Sequence, residues 1–462
     1  MKLYYQFTLI ALLSITLNFS HAQKLDRKVK ETLLASFDSG AVINSYTFSK
    51  DMRKIAFFKT VKGKQMAVIN DYRGKPYDNV SIPEFSLDSK KFIYQGIQNN
   101  KTYWISSTAK GTSIDSTSPI VAQRFSPDNK SVVLIIVKEK KYAISINGKV
   151  GKYYDAIDQN SIVFSEDGSR IAYTATINSR QLNVFNDVEG QLYDKVGYPI
   201  ISKNAQHIAY WAITGKSSYA VFDNARSLSY ESVGDIGMSD DGAHFVFKAK
   251  SGKEWVAIHD QQVSKPQPEI YSVVISPDGR RYAYAMRSTP EKAEGEDFEY
   301  YVVLDGKKSE VYETVVDGSL KFTSDSKDFI YKVERHDAFY YVLNDKPGKR
   351  YSDVLHATMT FSPDNSRLAY AVENETKRFV IEDGIEGKRY EDIYAVFFTP
   401  DNKRVIYAAK FANKDMIVVD DNEGRSYDSI LAQGAIVFDA PNKFHYIATR
   451  GNKIYLVEEE VN

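Results

Sequence analysis

A hydroxyl and a carboxylate two residues apart recur through this chain. Ser126-Pro127-Asp128, Ser165-Glu166-Asp167, Ser276-Pro277-Asp278, Ser362-Pro363-Asp364 and Thr399-Pro400-Asp401 are the clearest copies. A single such pair could serve nucleophilic or acid–base chemistry. Eleven related copies point instead to a turn, in which Pro presets φ and the carboxylate accepts local N–H groups. A second pair, Tyr-Asp or Tyr-Glu, closes phrases such as NDYRGKPYDNV (Asn70–Val80) and NDVEGQLYDKV (Asn186–Val196). Its expected role is also structural: the ring packs and the carboxylate bonds a neighbour. Asp420-Asp421-Asn422-Glu423-Gly424 is the nearest approach to a calcium loop, but it lacks alternating ligands and matches its sister hairpins. His207, His244, His259, His336, His356 and His445 show no His-x-x-x-His spacing. There is no Gly-x-Ser-x-Gly elbow, no phosphate loop, no Gly-x-Gly-x-x-Gly and no cysteine. No catalytic, cofactor or metal residue is therefore assigned.

These pairs sit in a repeat. Taking the hydroxyl position of each phrase as an anchor gives 49, 86, 126, 165, 202, 239, 276, 323, 362, 399 and 439, with Asp439 in the last, worn copy. The steps run from 37 to 40 residues except one of 47. An aromatic stands eight residues after nine anchors: Phe57, Tyr94, Tyr173, Tyr210, Phe247, Tyr284, Tyr331, Tyr370 and Tyr407. A fixed offset fixes strand register, since a one-residue slip turns every side chain to the other face. Each unit reads as four short strands, for example Ser161–Ser165, Arg170–Ile177, Gln181–Asn186 and Gln191–Val196. Leu25–Leu34 alone has helical periodicity, with Leu25, Val29, Leu33 and Leu34 on one face.

The composition agrees. Tyr at 33 and Phe at 25 of 462 residues favour strands. Sixty basic residues balance sixty acidic ones, so no charge surplus exists for a general nucleic-acid binder. Met1–Gln23 has one early lysine, an apolar run from Phe7 to Leu17, and Ser20-His21-Ala22 before the expected cut. It reads as a signal peptide, residues 1–22, too short in its apolar run to span a bilayer comfortably. The expected location is periplasmic or secreted.

Four strands in about 38 residues is a β-propeller blade. The FSPDG-type phrase with its aromatic strand resembles the TolB-type, WD-repeat-like propeller repeat of bacterial exported proteins, from about Ser36 to the C-terminus. That resemblance implies an all-β propeller and brings over no catalytic residue. Sialidase-type propellers continue Ser-x-Asp-x-Gly-x-Thr-Trp, and no copy here does. Eleven blades exceed the usual four to eight. Two propellers, residues 23–262 (six repeats) and 263–462 (five repeats), are expected, with one large ring as the alternative. Pro266, Pro268 and the missing Tyr-Asp at Gln267-Pro268 suggest the boundary. Against it, Ser36-Phe37-Asp38-Ser39 imitates Ser426-Tyr427-Asp428-Ser429, so the N-terminus offers the outer strand that the last unit lacks.

The 47-residue step holds an acidic insertion, Ser288–Glu299, with Glu291, Glu294, Glu296, Asp297 and Glu299 against Lys292. It is expected between the second and third strands of its blade, as a surface loop or as the contact for a basic partner. With no catalytic constellation, the expected function is a non-catalytic scaffold that binds a protein, peptide or envelope polymer. Contacts are expected in the loops entering the innermost strands and in the insertion. The alternatives are a propeller hydrolase or lyase acting on glycans or peptides, and a carbohydrate-binding module using Trp104, Trp211 or Trp255.

Overall fold

Alternating apolar residues between Asn/Asp/Gly turns leave each segment with one choice, a short strand paired with its sequence neighbour. The computed structural model describes residues 25–37, 45–99, 101–107, 113–114, 120–128, 130–288 and 298–462. In these it shows eleven small antiparallel sheets, each with four strands in order from the inside outwards. In five blades the innermost strand is split into two short pieces that pair with the same second strand. Blade 10 is representative of the unsplit kind: Asp392–Phe398 innermost, then Val405–Phe411, Lys414–Val419 and Asn422–Tyr427. No helix among the described residues is long and apolar enough to cross a membrane.

The eleven blades form one ring rather than two. Ten buried clusters each span consecutive blades. Blades 2 and 3 are joined by Arg124 donating to Glu84 at 3.3 Å. The expected boundary near Gln261–Glu269 is an ordinary blade junction. Val246 and Ala257 of blade 6 pack on Ile270 and Tyr284 of blade 7, and Gln267 makes the same bridge to Trp255 that Tyr makes elsewhere. The two prolines break no packing because they fall outside the ladder.

The ring closes through its termini, as the Ser-Phe-Asp-Ser imitation suggests. Arg27–Ser36 pairs antiparallel with Lys453–Val461 as the outermost strand of blade 11. Ile55, Phe57 and Val68 of blade 1 then pack on Ile447 and Ile454 of blade 11. A closed ring leaves no lateral sheet face bare. Arg27 locks the joint. Its Nε and Nη2 donate to Glu459 at 2.9 and 2.6 Å, and its Nη1 donates to the carbonyls of Ile417 and Asn422. Tyr446 donates to the other Glu459 oxygen at 2.6 Å. The Glu459 side chain is fully buried.

Two local expectations are corrected. Leu25–Leu34 forms no helix: it lies in the closing strand and its approach, where a register shift between Leu33 and Ala35 breaks the alternation and imitates a helical period. Gln191–Val196 is not one strand. Tyr193 bridges back to Gln181 in blade 4, whereas Lys195–Val196 already pairs in blade 5. The Tyr-Asp phrase is thus the step from one blade to the next. The signal segment lies outside the described residues.

Candidate functional site

The recurring hydroxyl–carboxylate pairs are consumed by the turns. In ten blades the anchor hydroxyl donates to the Asp or Asn two residues on, for instance Ser165 to Asp167 at 2.6 Å and Ser362 to Asp364 at 2.6 Å. The same oxygen accepts the N–H five residues on, as from Arg170 at 2.9 Å and Arg367 at 3.0 Å. The Tyr-Asp carboxylates are also spent. Asp194 accepts from the Gly215 N–H at 2.7 Å and Asp428 from that of Gly451, each capping a hairpin of the next blade. The Asp420–Gly424 segment is a hairpin turn, its first carboxylate taken by the Val405 N–H and Arg404.

The residue five positions after each anchor stands beside the turn between the third and outermost strands, and the two side chains are matched. Where that turn offers Asp, the partner is basic: His207–Asp223 at 3.0 Å, His244–Asp260 at 2.8 Å, Arg281–Asp305 at 2.9 Å, Arg367–Asp383 at 2.8 Å and Arg404–Asp420 at 2.8 Å. Where it offers Asn, the partner is an acceptor in two blades, Asp328 for Asn344 and Ser131 for Asn147, whereas in blade 1 Lys54 stands by Asn70 and donates to the Ser89 carbonyl instead. Arg170, set against Asn186, departs from the acceptor pairing as Lys54 does.

Arg170 borders a cleft between blades 4 and 5 with a volume of about 420 Å³. That falls within the usual range for small-ligand sites, roughly 300–1,000 Å³. Phe185, Val188 and Ile208 supply apolar wall; Asn186 and Asn224 supply amides. Tyr210 is 3% exposed and its hydroxyl has no hydrogen-bond partner among the described residues. Burial pushes its pKa up, so at neutral pH it is a hydroxyl donor. Gly190 lets the walls approach: a Cβ there would lie 2.9 Å from the Tyr210 oxygen. Asp223 is already taken, by His207 and by the Ile208 N–H at 3.1 Å. An unmet donor in low dielectric costs free energy until something accepts from it.

The same positions, 197 residues on (367 − 170), form a cleft of about 200 Å³ between blades 9 and 10. There the chain satisfies itself. Arg367 donates to Glu382 and Asp383, and Tyr407 donates to Asp421 at 2.7 Å.

The sequence-based candidates fall elsewhere. Glu291, Glu294, Glu296 and Asp297 lie outside the described residues. Glu299 begins the third strand of blade 7, paired with Ser288 at the end of the second, and accepts from Tyr301. Ser288 and Glu299, the ends of the second and third strands that the insertion joins, lie on the face opposite the cleft. The loops entering the innermost strands share that opposite face. Trp104 is buried; Trp211 and Trp255 are half-buried beside lysine ammonium groups. Sequence reasoning missed the cleft, although aligning the repeats shows Phe185 and Asn224 where later copies carry Glu382 and Asp421. It also missed that His244, His259 and Asp260 bring ligand atoms within 4.8 Å of one another. These could hold a divalent cation only if His259 gave up its 2.8 Å bond to the Gly279 carbonyl.

No family model matches the chain, and no curated protein matches it. Among solved structures it is similar to a eukaryotic initiation factor at 10% identity, over 72% of this chain and 92% of that one, with a TM-score of 0.41. It is similar at 12% to the β-propeller domain of the Trilobed protease from Pyrococcus furiosus, over 67% and 98%, with a TM-score of 0.30. The Cps50 (Swd1) β-propeller domain of Myceliophteria thermophila is 8% identical over 56% and 96%, with a TM-score of 0.25. The ring described above rests on the chain's own sheet order and packing.

Proposed function

We propose that this propeller is an exported, non-catalytic binding scaffold whose ligand enters the cleft between blades 4 and 5. The buried, unpartnered hydroxyl of Tyr210 at that cleft carries the reading. It is supported by the motif carboxylates, which are spent on turns and hairpin caps and so leave no acid–base pair poised for catalysis. Glu291, Glu294, Glu296, Asp297 and Glu299 form the proposed contact for a macromolecular partner, independent of the cleft.

The test is a thermal-shift screen of small polar compounds and short peptides on the wild type, on Tyr210→Phe and on a variant lacking residues 289–297. Hits that raise the wild-type Tm, fail on Tyr210→Phe and persist on the deletion support the reading. Hits indifferent to Tyr210, or no hits at all, overturn it.

A further inference from the structure

We propose that the cleft between blades 4 and 5 recognises a carboxylate, carried on a ligand with a small apolar body. This rests on the binding reading above. The argument comes from the molecule's own second copy of the site. Between blades 9 and 10, the groups equivalent to Arg170 and Tyr210 are both satisfied by carboxylates. Arg367 takes Glu382 and Asp383, and Tyr407 takes Asp421. Between blades 4 and 5 those three acids become Phe185, Asn186 and Asn224, while the arginine and the tyrosine are kept. The cleft without those acids is the larger, about 420 against about 200 Å³. It also holds a planar cationic fork and a neutral hydroxyl donor that the fold elsewhere pairs with anionic oxygen.

The remaining chemistry agrees. Arginine binds carboxylates bidentately. Asp223, the acid left at the rim, is held by His207 and a backbone N–H, so it is not available to Arg170 as the acids of the other cleft are to Arg367. Phe185 replaces a charged side chain by a ring, which gives the ligand body an apolar wall. Asn224 can donate an N–H to a carboxylate oxygen, which Asp421 cannot. The carboxylate can come from a free organic acid or from the end or side chain of a peptide. Its chemistry is the same in both.

The experiment is calorimetric titration of the full chain with matched pairs. One pair is 3-phenylpropionate and 3-phenylpropionamide; the other is an acetylated tripeptide with a free C-terminus and its amide. A hydrogen-bonded charge contact should favour the acid about tenfold or more. Arg170→Gln should erase that preference, and Phe185→Glu with Asn186→Asp and Asn224→Asp, which restores the three acids of the other cleft, should abolish binding with the melting temperature kept or raised. Preference for the peptide pair over the small pair identifies a polypeptide source, and the converse a free acid; either supports the proposal. Equal binding of acid and amide, or a preference that survives Arg170→Gln, overturns the carboxylate but leaves the cleft reading intact. No binding of any probe to the wild type also overturns it, while the compound screen on Tyr210→Phe judges the cleft separately.

Discussion

The two clefts share one backbone plan and differ in their chemistry. Both sit where the turn between the third and outermost strands of one blade meets the second strand of the next, and both have an arginine, a glycine and a buried tyrosine at equivalent positions. In one, Glu382 and Asp383 take Arg367 and Asp421 takes the Tyr407 hydroxyl. In the other, Phe185, Asn186 and Asn224 stand in their place. The repeat therefore supplies the geometry at low cost, and a few side chains decide whether a junction is merely structural or open to a ligand. A scaffold of this kind can acquire a site by losing partners rather than by gaining catalytic groups.

The largest test of that comparison breaks the ring both clefts depend on. Glu459 is fully buried and answers Arg27 and Tyr446 at the closing joint. Glu459→Ala strands the Arg27 guanidinium and should cost about 3–5 kcal/mol. Urea unfolding should show the midpoint falling for the whole chain, with ligand binding lost at the same denaturant concentration. A cost below about 1 kcal/mol would mean that the termini do not hold the ring closed.

A smaller test exchanges the chemistry of the two junctions. Asp421→Ala should leave Tyr407, a residue as buried as Tyr210, without its acceptor and cost about 1–3 kcal/mol. Tyr210→Phe removes a donor that has no partner and should be neutral or stabilising by up to about 1 kcal/mol. A clear loss at the Tyr407 contact and no loss at Tyr210, measured by thermal melting, are the expected result. Equal costs would show that Tyr210 is satisfied after all, and the contrast between the clefts would fail.

Much of this was legible in the chain. The aromatic eight residues after each anchor is buried in all nine cases, from Phe57 to Tyr407, because the turn sets where the second strand starts and hence its register. The terminal closure was legible because Phe37 imitates Tyr427. The closing strand itself was not, since the shift at Leu33/Ala35 disguises a strand as a helix. The single ring was not legible either. Pro266 and Pro268 look the same locally whether or not the next blade packs against them. The cleft was hidden for a different reason. It joins residues 170 to 224 from two blades and is marked by acids that are missing, which a search for present motifs passes over.

The smallest effect separates the turns common to both junctions from the clefts themselves. Asp167 in blade 4 and Asp364 in blade 9 are each held down to about 2, first by the hydroxyls of Ser165 and Ser362 and then by N–H groups. Asp325 is lowered to about 2 by Lys327 and then by Thr323. An unfolded aspartate titrates near about 3.9. Each of these groups thus binds its proton later in the folded state than in the unfolded one. Its stabilisation is complete above about pH 4 and is lost as pH falls towards about 2. Urea midpoints between pH 5 and pH 2.5 should therefore decline. Ser165→Ala and Ser362→Ala should each lower stability at pH 5 by about 1 kcal/mol and flatten that decline slightly, by the same amount in both blades. Because the turns are alike, a flattening seen in blade 9 but not in blade 4 would place the difference between the clefts in the backbone rather than in Phe185, Asn186 and Asn224.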